Sequence, residues 1–151
     1  MTRGKPDDGL RRLFKTELEM LQFHCQSVET GGTGQGIPDT NFCCRGVEGW
    51  IEYKATDGHA VTLRPEQIGW IERRVRCGGR VFIAVRRRHE GGARRGLPVD
   101  ELHLIPGYAA RQARLGGLRD PEVLSARLGL WQGGPSKWCW AEVAECLTQR
   151  G

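Results

Sequence analysis

The sequence predicts an α/β domain in the order αβββαβ through residue 85, with a return strand near residue 105 and a helical C-terminal extension over 106–151. Three observations carry this expectation. Leu10, Leu13, Phe14, Leu18 and Leu21 recur at helical spacing. Gly49–Lys54 alternates as a strand does, with Trp50, Glu52 and Lys54 on one face and Ile51 and Tyr53 on the other. Val81–Val85 is apolar on both faces, as a strand covered from both sides requires.

The elements follow in order. Residues 9–21 form an amphipathic helix with Glu17 on its apolar stripe and Glu19 pointing elsewhere. Phe23–Thr30 reads as a strand. The glycine-rich run Gly31–Gly36 follows; it lacks a P-loop lysine and suits a flexible, substrate-adjacent loop. Residues 37–44 are expected to form the strand beside 49–54, with Arg45–Glu48 as the connecting loop. Pro65 sits at the first position of a helix whose buried stripe is Ile68, Ile71 and Val75, and Gly78-Gly79 ends it. Arg86–Gly96 reads as a basic loop or hairpin tip, and Glu101–Ile105 as the return strand. Tyr108–Leu115, Pro121–Leu128 and 140–149 are expected helices. Trp131, Trp138 and Trp140 suit closure of a core or, less commonly, stacking on bases.

At 151 residues the chain is long enough for one domain, spanning 1–151, with a core that needs no staples. Its net charge of +5 suits a polyanionic partner. The distribution says more than the sum. Residues 64–95 hold ten arginines against three glutamates, whereas 17–57 hold seven acids against Arg45 and Lys54. An acidic pocket for cations beside a basic surface for phosphates is what a nuclease needs.

Other classes are disfavoured. No stretch is apolar for long enough to span a membrane, and Met1–Asp8 lacks the apolar core of a signal peptide, so a cytoplasmic protein is expected. The six cysteines show neither a CxxC pair nor finger spacing, which points to reduced thiols rather than structural zinc. The four histidines, at 24, 59, 89 and 103, are scattered, which argues against a histidine-based nuclease.

The stretch that concentrates chemistry is residues 36–54, GIPDTNFCCRGVEGWIEYK. Asp39 stands behind Pro38, and Glu52-x-Lys54 lies within the strand. A carboxylate and an ammonium on a largely apolar strand are costly unless they are paired or hold a metal. If 37–44 pairs with 49–54, Asp39 joins them and two acids converge beside a lysine.

Pro38-Asp39 followed by Glu52-x-Lys54 resembles the PD-(D/E)xK nuclease superfamily, closest to its VRR-NUC and archaeal-type Holliday-junction-resolvase members. The resemblance covers about residues 9–105 and implies a restriction-endonuclease-like core, a mixed central sheet flanked by helices. It implies Mg2+ as cofactor, with Mn2+ as a substitute, held by Asp39, Glu52 and the backbone carbonyl of Tyr53. It gives Lys54 the role of orienting or helping deprotonate water. A further acid is expected, with Glu29 first and Glu17 second. Gln67, a glutamine after E-x-K as in those relatives, is a secondary site residue. Arg64, Arg86, Arg87 and Arg88 are the expected DNA contacts.

The function this implies is a phage-like, structure-selective endodeoxyribonuclease acting on branched DNA as a homodimer, since a junction needs two symmetric cuts. A restriction-type endonuclease and a non-catalytic DNA-binding module are the alternatives.

Overall fold

A computed structural model describes residues 7–29 and 35–150. The elements in chain order are α1 (Leu10–Met20), β1 (His24–Ser27), β2 (Thr40–Cys44), β3 (Val47–Thr56), α2 (Pro65–Arg76), β4 (Val81–His89), β5 (Val99–Pro106), α3 (Ala110–Gly116), α4 (Pro121–Ala126), β6 (Gly129–Trp131) and α5 (Trp140–Thr148). The six strands form one mixed sheet in sequential order β1-β2-β3-β4-β5-β6. Only the β3–β4 pair is parallel; α2 makes that crossover, and every other pair is antiparallel. The α/β class and the flanking helices are as expected.

The period of two in β3 sorts its side chains between two cores. Ile51 and Tyr53 face α1 and α5, where Leu10, Phe14, Leu18, Phe42, Leu102, Leu104, Val143 and Leu147 are buried. Trp50, Glu52 and Lys54 face the other side, where Ile68 and Ile71 of α2 pack with Ile83, Val85 and Ile105. Val75 is only half-buried there. At about 25 cal/mol per Å2 of apolar surface removed from water, each fully buried Leu, Ile or Phe contributes roughly 2–3 kcal/mol before entropy is counted.

Several expectations are corrected. The loop expected at Arg45–Glu48 is a two-residue turn: Arg45 and Gly46 both take positive φ, 52° and 78°, while Val47 already pairs with Cys44. That left-handed pair matches the twist of the flanking strands, so the hairpin closes earlier than a longer loop would. Of the expected strand 23–30, whose residue 30 lies outside the described residues, only His24–Ser27 is strand, and the 37–44 strand begins only at Thr40. Of the glycine-rich run, residues 31–34 lie outside the described residues.

Arg86–Gly96 is not one loop. β4 runs on through His89 because its arginines find carboxylates across the ladder on β5. Arg86 makes a two-pronged pair with Asp100, at 2.9 and 2.7 Å, and donates to the Asp8 carbonyl. Arg87 reaches Glu101 at 3.2 Å, and Glu101 also takes the His103 ring at 3.0 Å.

The C-terminal extension is not wholly helical. Its helices are shorter than expected, and Gly129–Trp131 adds a sixth strand beside β5. Trp131 and Trp138 are buried, and Trp140 packs edge-on against Phe14 of α1 with ring centres 5.1 Å apart. The three tryptophans close the core, which leaves little ring surface for bases.

Candidate active site

Asp39, Glu52 and Lys54 meet in one cleft of about 800 Å3, together with Glu29, Gln67 and Arg64. Its walls come from the start of α1, the end of β1, the entry to β2, the end of β3 and the start of α2. Pairing of Thr40 with Ile51 brings Asp39 across from Glu52, since the neighbouring positions of an antiparallel pair also oppose each other.

Asp39 is held from two sides. Its Oδ1 accepts from the Arg11 guanidinium at 2.9 Å, and its Oδ2 accepts from the Tyr53 backbone N–H at 2.9 Å. Glu52 is only 3% exposed, and its Oε1 receives no hydrogen bond among the described residues. Lys54 Nζ stands 3.8 Å from Glu52 Oε2. Burial first, and the adjacent Asp39 carboxyl second, push Glu52 up to about 9, against the opposing pull of Lys54 and Arg64. At neutral pH this carboxyl keeps a proton unless a cation replaces it.

Lys54 is positioned by Gln67, whose Oε1 accepts from Lys54 Nζ at 3.1 Å and from the Arg64 backbone N–H at 2.9 Å. One amide oxygen therefore ties the ammonium to the first turn of α2. Gly36, with φ +88°, lies so close to the Glu66 carbonyl that any side chain would collide with it. The chain entering Pro38-Asp39 is thereby seated on the same helix start.

The further acids part ways. Glu29 lines the cleft; Glu17 is half-buried on α1 and does not. Glu19 is exposed near Lys15. Among the expected basic contacts, Arg64 is exposed at the cleft mouth with Glu66 at 3.5 Å. Arg86 and Arg87 are engaged within the fold, and Arg88 lies near Asp8 and Asp100, at 3.7 and 3.9 Å, outside the cleft.

Sequence reasoning missed Arg11, Arg12 and Lys15, which line the cleft from α1. Arg11 and Lys15 are four residues apart and so share a helix face, a signal present in the sequence.

Among the described residues no group of three or more His, Cys, Asp and Glu converges as a ready metal cage. The Asp39–Glu52 pair still fits a hard divalent ion. Both donors are oxygens, one buried oxygen has no donor of its own, and Mg2+ commonly takes one or two carboxylates and keeps its waters. No protein-family model matches the chain, and no curated protein matches it.

Proposed function

We propose that the chain is a metal-dependent endodeoxyribonuclease of the PD-(D/E)xK type, built on a restriction-endonuclease-like core. The observation that carries the reading is the buried Glu52 carboxyl with its unpartnered oxygen, facing Asp39 and flanked by Lys54. A structural ion pair would not bury a second acid against the first, because each raises the cost of ionising the other.

In this reading Asp39 and Glu52, with the Tyr53 carbonyl, hold Mg2+ or Mn2+. The ion supplies charge neutralisation at the phosphate and acidifies water. Lys54, steadied by Gln67, orients the attacking water and offsets negative charge as it develops. Glu29 is the acid available to complete the site. Arg64 at the cleft mouth meets the incoming backbone. The substrate proposed is DNA recognised by its shape, branched DNA above all. Two symmetric cuts at a junction then require a second copy.

The test presents the purified chain with junction, flap, single-strand, linear duplex and plasmid DNA, with and without Mg2+. Branched or flapped DNA is expected to be cut, and Asp39→Ala and Lys54→Ala to abolish cutting. Full activity in both variants removes the mechanism. Cutting of plasmid at fixed positions makes the chain a restriction-type enzyme. Binding without nicking under either metal makes it a DNA-binding module.

A further inference from the structure

We infer that Trp50, Trp70, Arg73 and Arg74 form a second phosphate-binding station, which grips the backbone of the DNA segment flanking the cleft. The inference rests on the nuclease reading for its ligand and on independent geometry for its place.

Some arginines of the described residues pair with acids and others do not. Arg11, Arg64, Arg86, Arg87, Arg88, Arg95 and Arg111 all lie within 4 Å of a carboxylate. Arg73 and Arg74 belong to the larger set with no such partner among the described residues, and both are exposed. Arg74 is held by rings instead. Its guanidinium carbon lies 4.6 Å from the Trp70 ring centre and 5.6 Å from that of Trp50, and the two rings meet edge to face at 5.2 Å. Gly79 completes the seat: a side chain there would strike the Arg74 stem, whose carbonyl accepts from the Gly79 N–H at 2.9 Å.

A guanidinium fixed by aromatic faces keeps its outward N–H groups for a ligand, and its planar fork matches a phosphate. The surrounding hollow is lined by Trp70, Arg73, Arg74, Cys77, Gly78 and Gly79, and among the described residues no acid lines it. An anion is the complementary occupant.

Its position points to a DNA strand. Trp50 lies two residues before Glu52 on the same face of β3, about 7 Å away at strand rise. Because β3 and β4 are parallel, α2 runs back along β3, from Arg64 beside the cleft to Arg73 and Arg74 beside Trp50. Ten residues of helix rise separate Arg64 from Arg74, roughly 15 Å. A backbone crossing the acids therefore meets cations on both sides.

The test measures binding in EDTA, where no cutting occurs, by anisotropy of a labelled duplex and of its single strand across a salt series. Arg73→Gln/Arg74→Gln is expected to weaken binding about tenfold or more at moderate salt and to lower the slope of log K against log salt by roughly one per arginine. Trp70→Leu keeps the charge but removes the seat, so weaker binding at an unchanged slope is expected. Arg111→Gln, which loses an arginine paired with Glu72 and outside the lining of the hollow, serves as the control and is expected to bind as wild type.

Wild-type affinity and slope in the double arginine variant overturn the station; if the wild type still cuts DNA, the nuclease reading survives alone. Loss of binding in the variant, from a wild type that never nicks under Mg2+ or Mn2+, keeps the station and removes the nuclease. Tighter binding of a matching RNA strand, with the same loss, overturns DNA as the ligand.

Discussion

Arg11 and Asp39 form a 2.9 Å ion pair that bridges the first turn of α1 to the entry of β2, and it occupies one of the two oxygens of the Asp39 carboxylate, a proposed cation ligand. Both side chains are partly exposed, so water screens the pair and it yields to a stronger charge. The guanidinium holds the position with the cation's own sign of charge. Arg11→Ala is therefore expected to tighten Mn2+ binding several-fold in titration calorimetry. Unchanged or weaker affinity would show that Arg11 does not compete for Asp39.

Gln67 carries a second prediction. Its Oε1 holds both the Lys54 ammonium and the first turn of α2. Gln67→Leu keeps the bulk and removes the acceptor. Stability is expected to fall by about 1 kcal/mol in urea unfolding. Cutting is expected to slow roughly 10- to 100-fold, because Lys54 loses its fixed direction. A loss of stability alone, at full cutting rate, would assign Gln67 to the helix start and not to the lysine.

Glu52 makes the metal-free protein's stability depend on pH. Its folded value is about 9 and its ordinary value is 4.5, so between these the folded chain holds a proton that the unfolded chain has released. The stabilisation is complete below 4.5 and is lost as pH rises through 9. Thermal unfolding in EDTA is expected to show a melting temperature that declines across this window, and Glu52→Gln to flatten the decline. Mg2+ is expected to restore stability most at the alkaline end, where the carboxylate is free to bind it. Identical pH profiles for the wild type and Glu52→Gln would mean that Glu52 is not the buried proton site.

Asp100 separates fold from function among the arginines. Asp100→Ala removes the two-pronged partner of the Arg86 guanidinium, which is 6% exposed, lies 5.5 Å from the Trp138 ring centre and keeps as a charged partner only the more distant Asp8 carboxylate at 3.8 Å. Leaving one partner of a buried pair costs about 3 kcal/mol. Urea unfolding is expected to show that loss, with DNA affinity unchanged in whatever fraction remains folded. A specific drop in affinity at full stability would return Arg86 to the DNA surface.

What was legible in the sequence was local. The alternation of Trp50-Ile51-Glu52-Tyr53-Lys54 gave the faces of β3, and Pro65 with Gly78-Gly79 bounded α2, because both signals act within a turn or a strand. Asp39 could be placed opposite Glu52 because a hairpin links them over few residues. Arg11 could not, since its contact with Asp39 spans 28 positions and no period encodes it. The run Arg86-Arg87-Arg88 looked like a surface feature because the acids that absorb it, Asp100 and Glu101, follow a turn whose register the sequence does not print. β6 escaped for a related reason: three residues, Gly129–Trp131, are too few for alternation to show, and only β5 makes them a strand.

α2 is one continuous helix from Pro65 to Arg76. With Gln67 near its beginning and Arg74 near its end, this single helix spans the two proposed contacts. If a strand is gripped at one contact and severed at the other, the interval between them is a property of helix pitch and not of loop flexibility. Lengthening the helix by one turn, about 5.4 Å, would then shift the site of scission by a countable number of nucleotides.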